Sequence, residues 1–96
     1  MLDKLKDMAA MRKQASQMKK MLADEHITVE GYHGKLKLTI DGNQEVESIE
    51  IDPEILSSDN KDTLEREMAN LFNNAVKDVQ KMMARKLQSG EISMPF

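Results

Sequence analysis

Residues 31–53, GYHGKLKLTIDGNQEVESIEIDP, read as two strands doubled back on each other, and the rest of the chain has to be fitted to them. Leu36, Leu38 and Ile40 alternate with Lys35, Lys37 and Thr39, the period-two pattern of a strand with one buried face. Asp41-Gly42 is the expected reversal, because a tight hairpin turn needs positive backbone φ and glycine reaches it without a Cβ clash. On the return, Ile49 and Ile51 share a face that Glu50 avoids. Val46 is out of phase with them, which predicts a bulge near Glu47-Ser48. Upstream, Ile27 and Val29 flank Thr28 as a further short strand, connected through Gly31 to Gly34 around Tyr32 and His33. The expectation is a three-stranded antiparallel meander, apolar on one face and wet on the other. On the wet face Lys35 and Lys37 are expected to pair across the hairpin with Glu47 or Glu50.

So small a sheet does not stand alone in water, so the flanking segments must cover it. Residues 2 to about 24 predict a helix with Met8, Met11, Ala15, Met18 and Leu22 spaced 3, 4, 3, 4 along one face. Asp52-Pro53 closes the sheet, since proline donates no ladder hydrogen bond. Pro53 to Leu56 suggests a short helical turn, and Ser58, Asp59 and Asn60 offer N-caps for a second helix over 61–88. That helix carries Leu64, Met68, Leu71, Phe72, Ala75, Val76, Val79, Met82, Met83 and Leu87 on a stripe wide enough for two neighbours. Gly90 is its stop, and residues 91–96 form a tail ending Met-Pro-Phe. The fold class is α+β in a single domain: helix, meander, long helix. Helices of roughly 33 and 42 Å outrun strands of about 20 Å, so their ends should project and their apolar stripes should meet a second copy. Leu36, Leu38, Ile40, Leu71, Phe72, Val79 and Met82 are the residues expected to make the packing and dimer contacts.

Composition narrows the chemistry. The 96 residues contain no cysteine, which excludes disulfides and thiolate metal sites. No apolar run approaches the ~18 residues of a membrane span. The opening MLDKLKDMAAMRKQ lacks the apolar core of a secretory signal, so a cytoplasmic protein is expected. The net charge of −3 hides an uneven distribution. Residues 1–23 hold six basic and two acidic side chains, residues 24–67 four basic and thirteen acidic, and residues 68–96 four basic and two acidic. A basic first helix and a mildly basic last helix therefore flank an acidic centre, and the global charge says little about partners.

The basic residues of the helices are ordered. Lys6, Lys13 and Lys20 repeat every seven residues, nearly two turns, with Arg12 and Lys19 as an adjoining row. Lys77, Lys81 and Arg85 follow a four-residue spacing in the second helix. Cations at such intervals suit the phosphates of a duplex. No aromatic residue lies among them to stack on bases, and no base-reading motif is present, so phosphate contact would dominate. Enzymatic chemistry has no such foundation: His26 and His33 lie apart, and no nucleotide-binding loop or metal-ligand spacing occurs. Neither catalysis nor a cofactor is expected.

The whole pattern resembles the YbaB/EbfC family of bacterial nucleoid-associated proteins. The resemblance is carried by Gly34-Lys35-Leu36-Lys37-Leu38-Thr39-Ile40-Asp41-Gly42, by Ile49-Glu50-Ile51-Asp52-Pro53, by Leu71-Phe72-Asn73-Asn74-Ala75 and by Met94-Pro95-Phe96, in that order along the chain. It implies a tweezer-like homodimer with sheets at the centre and helices as arms. It also implies binding of double-stranded DNA through the first and last helices, a place in the nucleoid, and a possible recombination or repair protein as partner. Two other functions fit the residues. One is a protein–protein adaptor docking through Met82, Met83 and Leu87; the other is a membrane-surface anchor on the first helix, for which the thin Met/Ala seam is poorly suited.

Overall fold

The computed structural model describes residues 2–92, leaving the Met94-Pro95-Phe96 motif outside the described residues. Helix α1 (Leu2–Ala23) is followed by strands β1 (His26–Gly31), β2 (Leu36–Asp41) and β3 (Val46–Ile51). Two 3-10 turns, Pro53–Ile55 and Ser58–Asn60, lead into helix α2 (Lys61–Ser89). The strands form one antiparallel sheet in the order β1-β2-β3. Thr39 pairs with Ser48 and Ile40 with Val46, so Glu47 is the extra residue of a bulge. That bulge brings Val46 back into phase with Ile49 and Ile51, as the alternation required.

Leu36, Leu38 and Ile40 are buried beneath Leu71, Ala75, Val79 and Met82 of α2, and Leu22 and Ile55 close the two ends of this core. Asp52 places Ile55 there. Its backbone N–H donates to the Lys35 carbonyl at 2.9 Å, and its carboxylate caps the 3-10 turn by accepting from the Glu54 N–H at 2.9 Å. Asn60 precedes α2 but does not cap it through its side chain, which donates instead to the Ile55 carbonyl at 3.2 Å. Gly90 ends α2 in the left-handed region with φ 79°.

The cover is unequal. Paired residues of adjacent strands point to the same side, so Val46, Ile49 and Ile51 face the same way as the buried residues of β2. Yet Val46 and Ile49 remain 41% and 46% exposed. A helix about 10 Å across spans roughly two strands at 4.8 Å spacing, and α2 spends its width on β1 and β2. The apolar side of β3 is left bare. Phe72 and Leu87, on the flank of α2 away from its buried ridge, are likewise exposed.

Helix α1 is barer still. Every side chain from Asp3 to Gln17 is exposed; Met18 is half-buried, and Leu22 alone is inserted into the core. The molecule therefore extends over 63 × 26 × 18 Å. Its radius of gyration of 18.3 Å compares with about 12.5 Å for a compact domain of this length.

The connection between β2 and β3 departs from expectation. At residues 41–45 the positive φ belongs to Gln44 (64°), not to Gly42. The loop is longer than a two-residue turn: the Gln44 N–H donates to the Asp41 carbonyl at 3.0 Å and the Asp41 N–H to the Glu45 carbonyl at 2.9 Å. Gly42 is needed for a different reason, because a Cβ there would sit 2.6 Å from the Leu22 carbonyl oxygen. At the other end, Tyr32, His33 and Gly34 are all left-handed, with φ of 53°, 58° and 81°. Two of these carry side chains, which costs conformational energy that the packing of Tyr32 on the core helps to offset.

Candidate nucleic-acid interface

The fourteen lysines and arginines of the chain divide by what they touch. Lys35 bonds Glu54 at 2.9 Å, Lys37 lies 3.7 Å from Glu30, and Lys61 pairs with Glu65 one helical turn on. The cross-hairpin pairs expected from the sequence do not form. Glu30 on β1 takes Lys37 in place of Glu50, Glu54 beyond the sheet takes Lys35, and Glu47 bonds the His26 ring at 2.6 Å. On this wet face Thr28 and Thr39 also join hydroxyls at 2.9 Å.

Lys86 is the most enclosed of the paired cations, with its side chain 17% exposed between Glu25 at 2.6 Å and Glu91 at 2.9 Å. Hydrogen bonds to these two carboxylates raise its pKa, and Lys86 in turn holds the Glu91 carboxyl below the usual range. This triad ties the start of β1 to the segment after α2. The four-residue course of Lys77, Lys81 and Arg85 passes Lys86 by: Lys86 lies four residues after Met82 and seven after Val79, on the buried side of α2, whereas Arg85 lies on the outer side.

The remaining cations are on the helices. Lys6, Arg12, Lys13, Lys19 and Lys20 on α1, and Lys77, Lys81 and Arg85 on α2, are exposed and form no ion pair within the described residues. Lys4, which falls outside the seven-residue rows, and Arg66 of α2 have the same status, which completes the fourteen. Because α1 meets the body only at its last turns, both rows are presented to solvent beside the apolar seam. Lys77, Lys81 and Arg85 stand on the outer surface of a packed helix, with Ala75, Val79 and Met82 turned inward.

Of the residues expected to make packing and dimer contacts, Leu36, Leu38, Ile40, Leu71, Val79 and Met82 are buried within the single chain, whereas Phe72 is 42% exposed. Met82 thus belongs to the core and Met83 packs against it, so the apolar end of α2 on which an adaptor would rely does not project; Leu87 alone of the three is exposed. Among the described residues no helix is long and apolar enough to cross a membrane, and no group of three or more His, Asp or Glu could hold a metal ion.

The sequence signature of the YbaB/EbfC DNA-binding family matches residues 1–92. A nucleoid-associated protein of Beijerinckia indica is 33% identical over 103 aligned residues, covering 96% of this chain and 100% of that protein. Another, from Caldicellulosiruptor saccharolyticus, is 36% identical over 57% of this chain and 49% of its own length. In three dimensions the fold is shared with an uncharacterized protein of Helicobacter pylori, at a TM-score of 0.65 and 20% identity over 81% of this chain and 90% of the other.

Proposed function

Because the chain belongs to the YbaB/EbfC DNA-binding family, we propose that it is a nucleoid-associated architectural protein that grips duplex DNA through its helices and performs no catalytic step. The observation that supports this most directly is the division of cations. Those near the acidic sheet are neutralised by carboxylates, and those along α1 and on the outer surface of α2 are left for an external anion. Lys6, Arg12, Lys13, Lys19 and Lys20 are the principal phosphate contacts, with Lys4, Lys77, Lys81 and Arg85 contributing. The acidic centre repels the duplex from the sheet and confines it to the helices. Such a protein acts in the cytoplasm, at the nucleoid, and a recombination or repair protein is a partner consistent with that setting.

A homodimer belongs to the same reading. The bare side of β3, with Val46 and Ile49, and the exposed Phe72 and Leu87 of α2 offer apolar surface for a second copy. Ile49→Glu should convert the dimer to monomer in sedimentation velocity while the circular dichroism spectrum is retained; an unaltered dimer would place the interface elsewhere.

The decisive test of DNA binding is a mobility-shift titration against salt. Each neutralised phosphate releases condensed counterions, so log K should fall linearly with log salt at a slope of about −0.9 per contact. No complex at ~50 mM salt would end this reading.

A further inference from the structure

Among the described residues every side chain of α1 from Asp3 to Gln17 is exposed, so the direction of the arm is set at its base. There the β2–β3 loop reaches across to the C-terminal end of the helix. The Gly42 N–H is shared between the Leu22 carbonyl at 2.8 Å and the Glu25 carbonyl at 3.1 Å, and the Asn43 side-chain amide donates to the Lys19 carbonyl at 2.8 Å. The Leu22 carbonyl, in the last turn and so without an i+4 partner, accepts from the Gly42 N–H besides a 3.1 Å bond from the Glu25 N–H, and the Lys19 carbonyl one turn earlier takes the Asn43 amide as an added donor, so one loop holds two carbonyls of the helix end. The loop itself is rigid. Asp41, only 6% exposed, accepts from the backbone N–H groups of both Asn43 at 2.8 Å and Glu45 at 2.9 Å. Leu22 packs its side chain into the core under the same loop, and its Cα and Cβ stand 3.1 and 3.0 Å from where a Gly42 Cβ would be.

We propose that Gly42 and Asn43 are positioning residues for DNA binding: they seat the last turn of α1 on the sheet and so aim the whole arm. This rests on the reading of α1 as the main phosphate-contacting element. Leverage makes the joint consequential. Lys6 lies sixteen residues from Leu22, about 24 Å along the helix, so a tilt of about 20° at the base moves it by roughly 8 Å. That exceeds two steps of the 3.4 Å spacing of charges along one DNA strand. Cations that meet successive phosphates in one orientation miss them in the other. The Lys86 triad, through Glu25, and buried Ile92, which lines a cleft with Met18 and Met21 of α1, hold another side of the same junction and leave the loop to set the remaining angle.

Asn43→Asp is the critical variant, because it keeps the shape and turn preference of the side chain and removes the donor. The absence of native cysteine allows spin labels at Ala10→Cys and Glu50→Cys, with labelled chains diluted in unlabelled ones so that only distances within one chain register. The parent should give one narrow distance distribution. Asn43→Asp should broaden it or displace it by several ångströms, reduce DNA affinity several-fold and flatten the salt dependence. Gly42→Ala should do more if it folds. Thr28→Ala, which loses the hydroxyl bond on the far face of the sheet, supplies a comparison that weakens the body without touching the joint and should leave the distance alone. An unchanged distribution in folded Asn43→Asp, or an equal change in Thr28→Ala, overturns the proposal. If the parent fails to bind DNA, the DNA-binding reading falls, and the distances still decide whether the loop aims the arm.

Discussion

The two helices of this protein each carry an apolar stripe, a thin Met/Ala seam on α1 and a broad one on α2, and meet opposite fates. Both carry methionine-rich stripes at helical spacing. In α2 the stripe is consumed by the sheet: Leu71, Ala75, Val79 and Met82 are buried, and the helix is part of the body. In α1 the stripe is consumed only where Leu22 enters the core and Met18 packs against it, while Met8 and Met11 stay 51% and 41% exposed. The difference is one of stripe breadth and of available partners. A sheet of three strands has room for one helix at full contact, and α2 occupies it. A hydrophobic stripe therefore marks what a helix is able to bury, and the area on offer determines what it does bury.

The sharpest way to break this contrast is to truncate one residue on each helix. Leu71→Ala should cost about 2–5 kcal/mol in denaturant unfolding, through lost burial and a residual cavity. Met11→Ala should change the unfolding free energy of the same chain by no more than about 0.5 kcal/mol, as for other exposed positions. A comparable loss from Met11→Ala would show that the arm is packed in solution. Charge reversal should sort the helices the other way. Lys13→Glu with Lys20→Glu should reduce DNA affinity ten- to a hundred-fold, about 1.4–2.8 kcal/mol, and lower the salt slope by about two. Lys77→Glu with Lys81→Glu should cost less. Equal losses would make the helices equivalent as DNA contacts.

A smaller effect comes from pH, through the junction where the two helices approach. Glu91 has a lowered pKa, so its stabilising pair with Lys86 is present above the ordinary value of 4.5 and is lost as pH falls through the lower folded value. Lys86 has a raised pKa, so its contribution is present below the ordinary 10.5 and is lost only as pH rises through the higher folded value. Thermal melts should show this clamp intact across the neutral range, with Glu91→Gln removing part of the acid sensitivity below about pH 4. A parallel acid limb in Glu91→Gln would rule the pair out as its source. Least of all, His33→Gly should raise stability by about 1 kcal/mol or less, because glycine adopts φ of 58° without a Cβ penalty. It should do so equally whether or not DNA is bound.

Alternation in β2, the phase break before Ile49 and the stop at Gly90 were legible in the sequence because each depends on nearby residues. Features that depend on what lies opposite were not. The alternation of β3 shows which side is apolar, but nothing in it reveals that α2 is too narrow to reach that side. Asp41-Gly42 looks like a turn that needs φ freedom, whereas the glycine is demanded by Leu22, twenty positions upstream. Lys37 has acidic cross-strand neighbours on both sides, and only the fold selects Glu30 over Glu50. The candidate cations were visible as rows on helices; their freedom from carboxylates, and the pairing of Lys86 with Glu25 and Glu91, required the structure.

The exposed length of α1 has a consequence for how such a chain tolerates insertion and deletion. Seven residues added before Met18 would lengthen the arm by about 10.5 Å and leave every upstream side chain within about 20° of its old azimuth. One residue added there would swing the same side chains by about 100° around the axis. Neither change touches the core. Reach and facing of the cations can thus drift separately from stability, with a length of two helical turns as the natural step.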